Sequence, residues 1–231
     1  MEDALMLCRA LVRDGITTVV ATPHQLGRFD GYNQPWDIRR RVETLQDGLD
    51  RMRIPLKVLA GGEVRVDERI PRLLSEDKIA TLADGKRYLL LELPNEVLIE
   101  PSFLLSHLGE SQVTIVIAHA ERYPPLHETP DDAEDWIAAG AALQVSAGAL
   151  GGALGQPAQR AAWTWLERGW VALVATDSHN AATRGPRMSE AIDAIAHRLG
   201  DALARCACIE NPLRIVKGEP LHPAPAVGVR G

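Results

Sequence analysis

The sequence predicts an α/β domain built on a parallel sheet, open or closed into a barrel. Three observations lead there. Short, almost uncharged apolar runs alternate with helical stretches along most of the chain, and runs of that kind read as strands covered on both faces. Strand–helix–strand order repeated this often requires crossover connections, and so parallel strands. The polar residues able to do chemistry stand at the C-terminal ends of the apolar runs, the rim where active sites of parallel α/β folds lie.

The strand candidates are Ile16–Ala21, Leu56–Ala60, Tyr88–Leu93, Val113–Ala118, Ala141–Val145 and Val171–Ala175. Helices are predicted at Asp3–Asp14, Asp37–Met52, Pro101–Leu108, Asp131–Ala139, Pro157–Arg168 and Ser189–His197. Pro101-Ser102 and Thr129-Pro130-Asp131 supply start signals, while Gly15, Gly140 and Gly169 supply stops. The chain opens on a helix, whereas a βα barrel begins on a strand, so the pattern lacks the first strand of a closed barrel. Residues 1–218 read as a single domain. Residues 219–231, rich in Pro, Ala, Gly and Val, read as a flexible tail.

Composition narrows the class. The 231 residues carry 25 Lys and Arg against 31 Asp and Glu, a formal net charge of −6. That balance argues against binding nucleic acid or an anionic membrane through bulk charge. No window approaches the ~18 consecutive apolar residues of a membrane span, and the N-terminus lacks a signal-peptide pattern. The chain reads as cytoplasmic. Cys8, Cys206 and Cys208 are odd in number and sparse, which argues against a disulfide framework. Trp163, Trp165 and Trp170 cluster near one helix and read as core and groove packing, with a homo-oligomer interface as the alternative.

The chemistry gathers at strand ends. Ile16–Ala21 runs into Thr22-Pro23-His24, and Leu56–Ala60 into Gly61-Gly62-Glu63. Tyr88–Leu91 ends at Glu92. Val113–Ala118 runs into His119-Ala120-Glu121-Arg122, and Val171–Ala175 into Thr176-Asp177-Ser178-His179. A parallel sheet brings His24, Glu63, Glu92, His119, Asp177 and His179 to one mouth. Mixed imidazole and carboxylate ligands suit Zn, Mn or Fe, and two such ions can hold a phosphate and activate water. Arg122 can grip phosphate oxygens. Taken singly, each residue has an ordinary role: a loop histidine, an ion-paired glutamate, a helix-capping aspartate. His107, His127, His197 and His222 fall in helices, loops or the tail and take ordinary roles.

These segments resemble a known family. Ala21-Thr22-Pro23-His24, Gly61-Gly62-Glu63, Leu91-Glu92-Leu93-Pro94 and Ile117-Ala118-His119-Ala120-Glu121-Arg122-Tyr123 are similar, in order, to motifs of the bacterial protein-tyrosine phosphatases of the PHP (polymerase and histidinol phosphatase) superfamily. So are Gln144-Val145-Ser146-Ala147-Gly148, Thr176-Asp177-Ser178-His179-Asn180, and Glu210-Asn211-Pro212 with Lys217-Gly218-Glu219. The resemblance implies a distorted (β/α)7 barrel holding two or three divalent ions, usually Mn2+, with Fe or Zn as alternatives. It implies hydrolysis of phosphotyrosine in the control of capsule or exopolysaccharide synthesis. The expected substrate and partner is the tyrosine-rich tail of a polysaccharide-assembly kinase. By the same resemblance, His24, Glu63, Glu92, His119, Asp177 and His179 match metal ligands, Arg122 matches a phosphate-binding arginine, and Arg184 resembles a second one. The family opens with Asp-x-His-x-His on its first strand, and no His-x-His occurs in the 231 residues.

Other readings are a PHP phosphoesterase acting on a small phosphate such as histidinol phosphate, and a non-catalytic remnant that binds a partner. Cys208 and Arg214 have the Cys-x5-Arg spacing of thiol-based phosphatases. Pro212 removes a backbone donor there, however, and Glu210 adds negative charge, so the loop cannot cradle phosphate.

Overall fold

The computed structural model describes residues 2–94, 99–128 and 130–225. All its named strands pair in parallel, in chain order. β1 (Thr18–Ala21) pairs with β3 (Lys57–Ala60). A six-stranded sheet follows: β2 (His24–Gln25), β4 (Glu63–Arg65), β5 (Tyr88–Glu92), β6 (Thr114–Ile117), β7 (Ala142–Ser146) and β8 (Val171–Ala175). β1 and β2 continue one another across Thr22-Pro23, and β3 and β4 across Gly61-Gly62. The six apolar runs of the sequence are therefore six neighbouring lines of sheet. Thr129, read as part of a helix start, lies outside the described residues.

The interruptions have local causes. Pro23 has no N–H to give to a ladder, though its carbonyl accepts from the Glu63 N–H at 3.2 Å. Opposite it the lines approach closely. A Cβ on Gly61 would stand 2.6 Å from Val20 Cγ1, and one on Gly62 would stand 2.4 Å from Gln25 Oε1. A side chain at either position would force the facing residue to shift. Sequence patterning read these stretches as strand ends and so missed the resumption at β2 and β4.

Alternation along the strands sorts side chains onto two faces. Leu89, Leu91, Ile115, Ile117, Leu143 and Val145 enter the larger core. That core is covered by α4 (Ser102–Glu110), α6 (Pro130–Ala138), α8 (Gln156–Glu167) and α9 (Met188–Leu199). Tyr88, Leu90, Val116, Ala142 and Leu173 point the other way, against Leu82 and Ile215. A third cluster joins α1 (Glu2–Arg13) and α2 (Pro35–Arg51) to the β1–β3 pair through Cys8, Leu11, Leu49 and Val58. Trp165 is fully buried, and Trp163 and Trp170 pack half-buried against the same core.

Six predicted helices are present with ends shifted by a few residues. Short α3 (Ile70–Ser75), α5 (Pro125–Glu128) and α7 (Ala147–Leu150) went unpredicted. The C-terminal run comprises α10 (Asp201–Arg205), a π-helical turn at Cys206–Glu210 and α11 (Asn211–Lys217). Buried Asn211 donates to Ala172 O at 2.8 Å and accepts from His222 N at 2.8 Å, and the Tyr88 hydroxyl donates to Glu219 O at 2.5 Å. Packing therefore continues past Glu219, where composition had placed the start of a flexible tail. At the other end, Asp14 accepts from the Met188 N–H at 2.7 Å, satisfying the start of α9 from 174 residues away. Among the described residues, no helix is long and apolar enough to cross a membrane.

The substitution Gly62→Ala drives a methyl into the Gln25 amide, which is held by bonds from Ala80 N at 2.7 Å and to Asn33 O at 2.7 Å. Urea unfolding should show a loss of about 1–3 kcal/mol. Combining it with Gln25→Ala should cost less than the sum of the single changes.

Candidate metal centre

The register of the sheet builds the site. His24 is directly opposite Glu63, Glu63 opposite Leu90, and Arg65 opposite Glu92. Two residues beyond Leu90, Glu92 projects on the same face. His24, Glu63 and Glu92 thus converge, and each offers a ligand atom within 4.8 Å of the others. His24 Nδ1 lies 3.7 Å from Glu63 Oε1 and 3.6 Å from Glu92 Oε2. It is buried and has no hydrogen-bond partner among the described residues. A buried imidazole nitrogen aimed between two carboxylates fits a divalent cation of the Mn, Fe or Zn kind.

His119 joins through Glu63, its Nε2 lying 2.9 Å from Glu63 Oε1, with both side chains buried. Burial disfavours the charged forms of both. The hydrogen bond and mutual charge prevail, holding the Glu63 carboxyl below the usual range and lifting the His119 imidazole above its own. Gln144, buried on β7, fixes the His119 backbone by accepting its N–H at 3.1 Å. His119 itself has a left-handed backbone, with φ 31°.

Asp177, just beyond the end of β8, also has a left-handed backbone, with φ 47°. Such strain costs about 1–3 kcal/mol and persists where surroundings enforce it. Two guanidinium groups converge on Asp177 Oδ2, Arg122 at 3.2 Å and Arg184 at 2.5 Å. His179 turns Nδ1 to the Asp177 carbonyl at 3.1 Å and is the most exposed residue of the set.

The predicted residues therefore form two adjoining groups: His24, Glu63, Glu92 and His119 in one, and Asp177, His179, Arg122 and Arg184 in the other. Arg122 links them, its charge acting on Glu63 and His119 while it bonds Asp177. Sequence reasoning missed Arg65, whose Nε lies 3.5 Å from Glu92 Oε2. It also missed Arg28 and Phe29, which line the cleft beside His24 and Glu92. Alternation in β4 could have found Arg65, two residues beyond Glu63; no spacing marks Phe29. The thiols are free and buried. Burial, with the neighbouring Cys206, pushes Cys208 up to about 12, so this thiol is protonated at neutral pH.

Comparison with known proteins identifies the family. Residues 1–217 match the family described as capsular polysaccharide synthesis, CpsB/CapC. The tyrosine-protein phosphatase YwqE of Bacillus subtilis is 32% identical over 202 residues, covering 87% of this chain and 79% of the relative. The tyrosine-protein phosphatase CpsB of Streptococcus pneumoniae is 27% identical over 226 residues, covering 93% and 90%. A solved structure from work on YwqE from Bacillus subtilis and CpsB from Streptococcus pneumoniae, described as unique metal-dependent tyrosine phosphatases, superposes with a TM-score of 0.91 at 30% identity. It covers 96% of this chain and 89% of that one. With a match over nearly its whole length, the chain belongs to the CpsB/CapC capsular polysaccharide synthesis family.

Proposed function

We propose that this protein is a metal-dependent protein-tyrosine phosphatase that controls capsule or exopolysaccharide synthesis. The carrying observation is the convergence of His24, Glu63 and Glu92 within ligand distance of one another at one rim, with two arginines beside them. The likeness to YwqE and CpsB supports the same reading.

Divalent ions bound there supply positive charge and activate water for attack on phosphorus. In this reading His24, Glu63, Glu92, His119, Asp177 and His179 hold them. Arg122 and Arg184 exchange the Asp177 carboxylate for phosphate oxygens and stabilise charge as the ester breaks. Glu63 and Glu92 keep the rim negative enough to retain cations, and the arginines offset that charge for an anionic substrate. The finer assignments are ours: Mn2+ as the metal, two or three ions, a distorted (β/α)7 barrel, and residues 1–218 as a single domain. The tyrosine-rich tail of a polysaccharide-assembly kinase is the proposed substrate. The proposed location is the cytoplasm, where Cys8, Cys206 and Cys208 stay reduced.

With Mn2+ supplied, the chain should hydrolyse phosphotyrosine peptides in preference to histidinol phosphate. Glu63→Gln, which keeps shape and removes charge, should lower kcat/KM by about 100-fold, and Arg122→Ala by a similar factor. A wild-type rate in either variant contradicts the assigned roles.

Chelation and alkylation separate the metal from a thiol route. Exhaustive EDTA treatment should abolish turnover and added Mn2+ restore it, while iodoacetamide at neutral pH leaves it unchanged, because the Cys208 thiol is buried and protonated. Full activity after EDTA treatment overturns the mechanism.

A further inference from the structure

We propose that Phe29 is a positioning residue for His24, holding its imidazole in the orientation the metal cluster requires. The inference rests on the metal reading of His24, Glu63 and Glu92 given above. The two rings lie nearly parallel, with centroids 5.3 Å apart and planes within 7°, an offset stack of the favourable kind.

A metal-ligating imidazole is ordinarily oriented by a hydrogen bond at its other nitrogen. His179 has such a bond, to the Asp177 carbonyl at 3.1 Å. The His119 ring is held by Glu63 at 2.9 Å. The His24 ring has no hydrogen bond of this kind among the described residues, although its Nδ1 is the buried atom aimed between the two carboxylates. Orientation then falls to packing, and the flat face packed on it is Phe29.

The loop is shaped to deliver that face. Leu26 and Gly27 turn the chain through left-handed conformations, with φ of 64° and 55°. The Phe29 N–H then donates back to Leu26 O at 2.9 Å. Both ends of the loop are pinned: Asn33 Nδ2 donates to His24 O at 2.8 Å, and Gln25 Nε2 to Asn33 O at 2.7 Å. Phe29 is thereby folded back over the residue five positions before it. The Arg28 guanidinium stands 4.8 Å from the Phe29 centroid and has no carboxylate partner among the described residues.

The test is metal binding without turnover. The full chain and the variants Phe29→Ala, Phe29→Leu, Phe29→Tyr and His24→Ala are titrated with Mn2+ by calorimetry, and the visible absorption of each Co2+-loaded protein is recorded. Phe29→Ala should weaken binding about 10-fold or more and alter the Co2+ spectrum. Phe29→Leu, which keeps apolar bulk but loses the flat face, should do the same, and Phe29→Tyr should restore both readouts. Wild-type affinity and spectrum in Phe29→Leu, with binding lost in His24→Ala, overturn the positioning role alone. Equal Mn2+ affinity in wild type and His24→Ala overturns the metal reading, and the positioning role with it.

Discussion

The Glu63 carboxylate is 6% exposed and ionised, and an ionised carboxylate in that position requires positive partners. His119, arriving from the end of β6 across β5, supplies one in hydrogen-bond contact, while His24 lies directly opposite in register on β2. The His24 line comes alongside through close approach at Gly61-Gly62, where a side chain on either residue would collide with Val20 or Gln25. The dense hydrophobic faces of β5, β6 and β7 hold the remaining strand ends in place around this charge. Imidazoles and carboxylates concentrated this tightly at a sheet rim are poorly served by mutual hydrogen bonds, as His24 Nδ1, without a partner among the described residues, shows. A divalent cation would give these groups a shared partner, as the proposed function requires.

A second balance stands beside the first. Asp177 draws both Arg122 and Arg184 onto one carboxylate oxygen. Two guanidinium groups held on one anionic oxygen are already arranged to receive a phosphate. Keeping them there depends on a left-handed Asp177 backbone, so strain at the strand end is tied to the placement of charge. The two groups together set imidazoles and carboxylates next to guanidinium groups, which is the arrangement the proposed phosphate-ester hydrolysis needs.

Much of this was legible in the sequence because the signals were redundant. Almost uncharged apolar runs marked all six lines of sheet, and the helix positions were right to within a few residues. Each of His24, Glu63, Glu92, His119 and Asp177 follows or ends such a run, so strand order alone carried them to one rim. What was illegible depends on contacts distant in sequence or too short for periodicity to register. α3 spans six residues, fewer than two turns. The brief strands β2 and β4 are separated from their parent runs by Pro23 and by paired glycines, which read as stops. The bound course of residues 219–225 rests on Asn211 and Tyr88, whose partners no local pattern reveals. Phe29 belongs to the same class, since its use is visible only once the loop has folded back on His24.

The most direct test of the account is anomalous diffraction from crystals of this protein grown with Mn2+, recorded on both sides of the manganese edge. The account predicts a peak within coordination distance of His24, Glu63 and Glu92, with the Glu63–His119 hydrogen bond opened or shared with the ion. No peak at that position, or one only at a surface carboxylate remote from the rim, would contradict it.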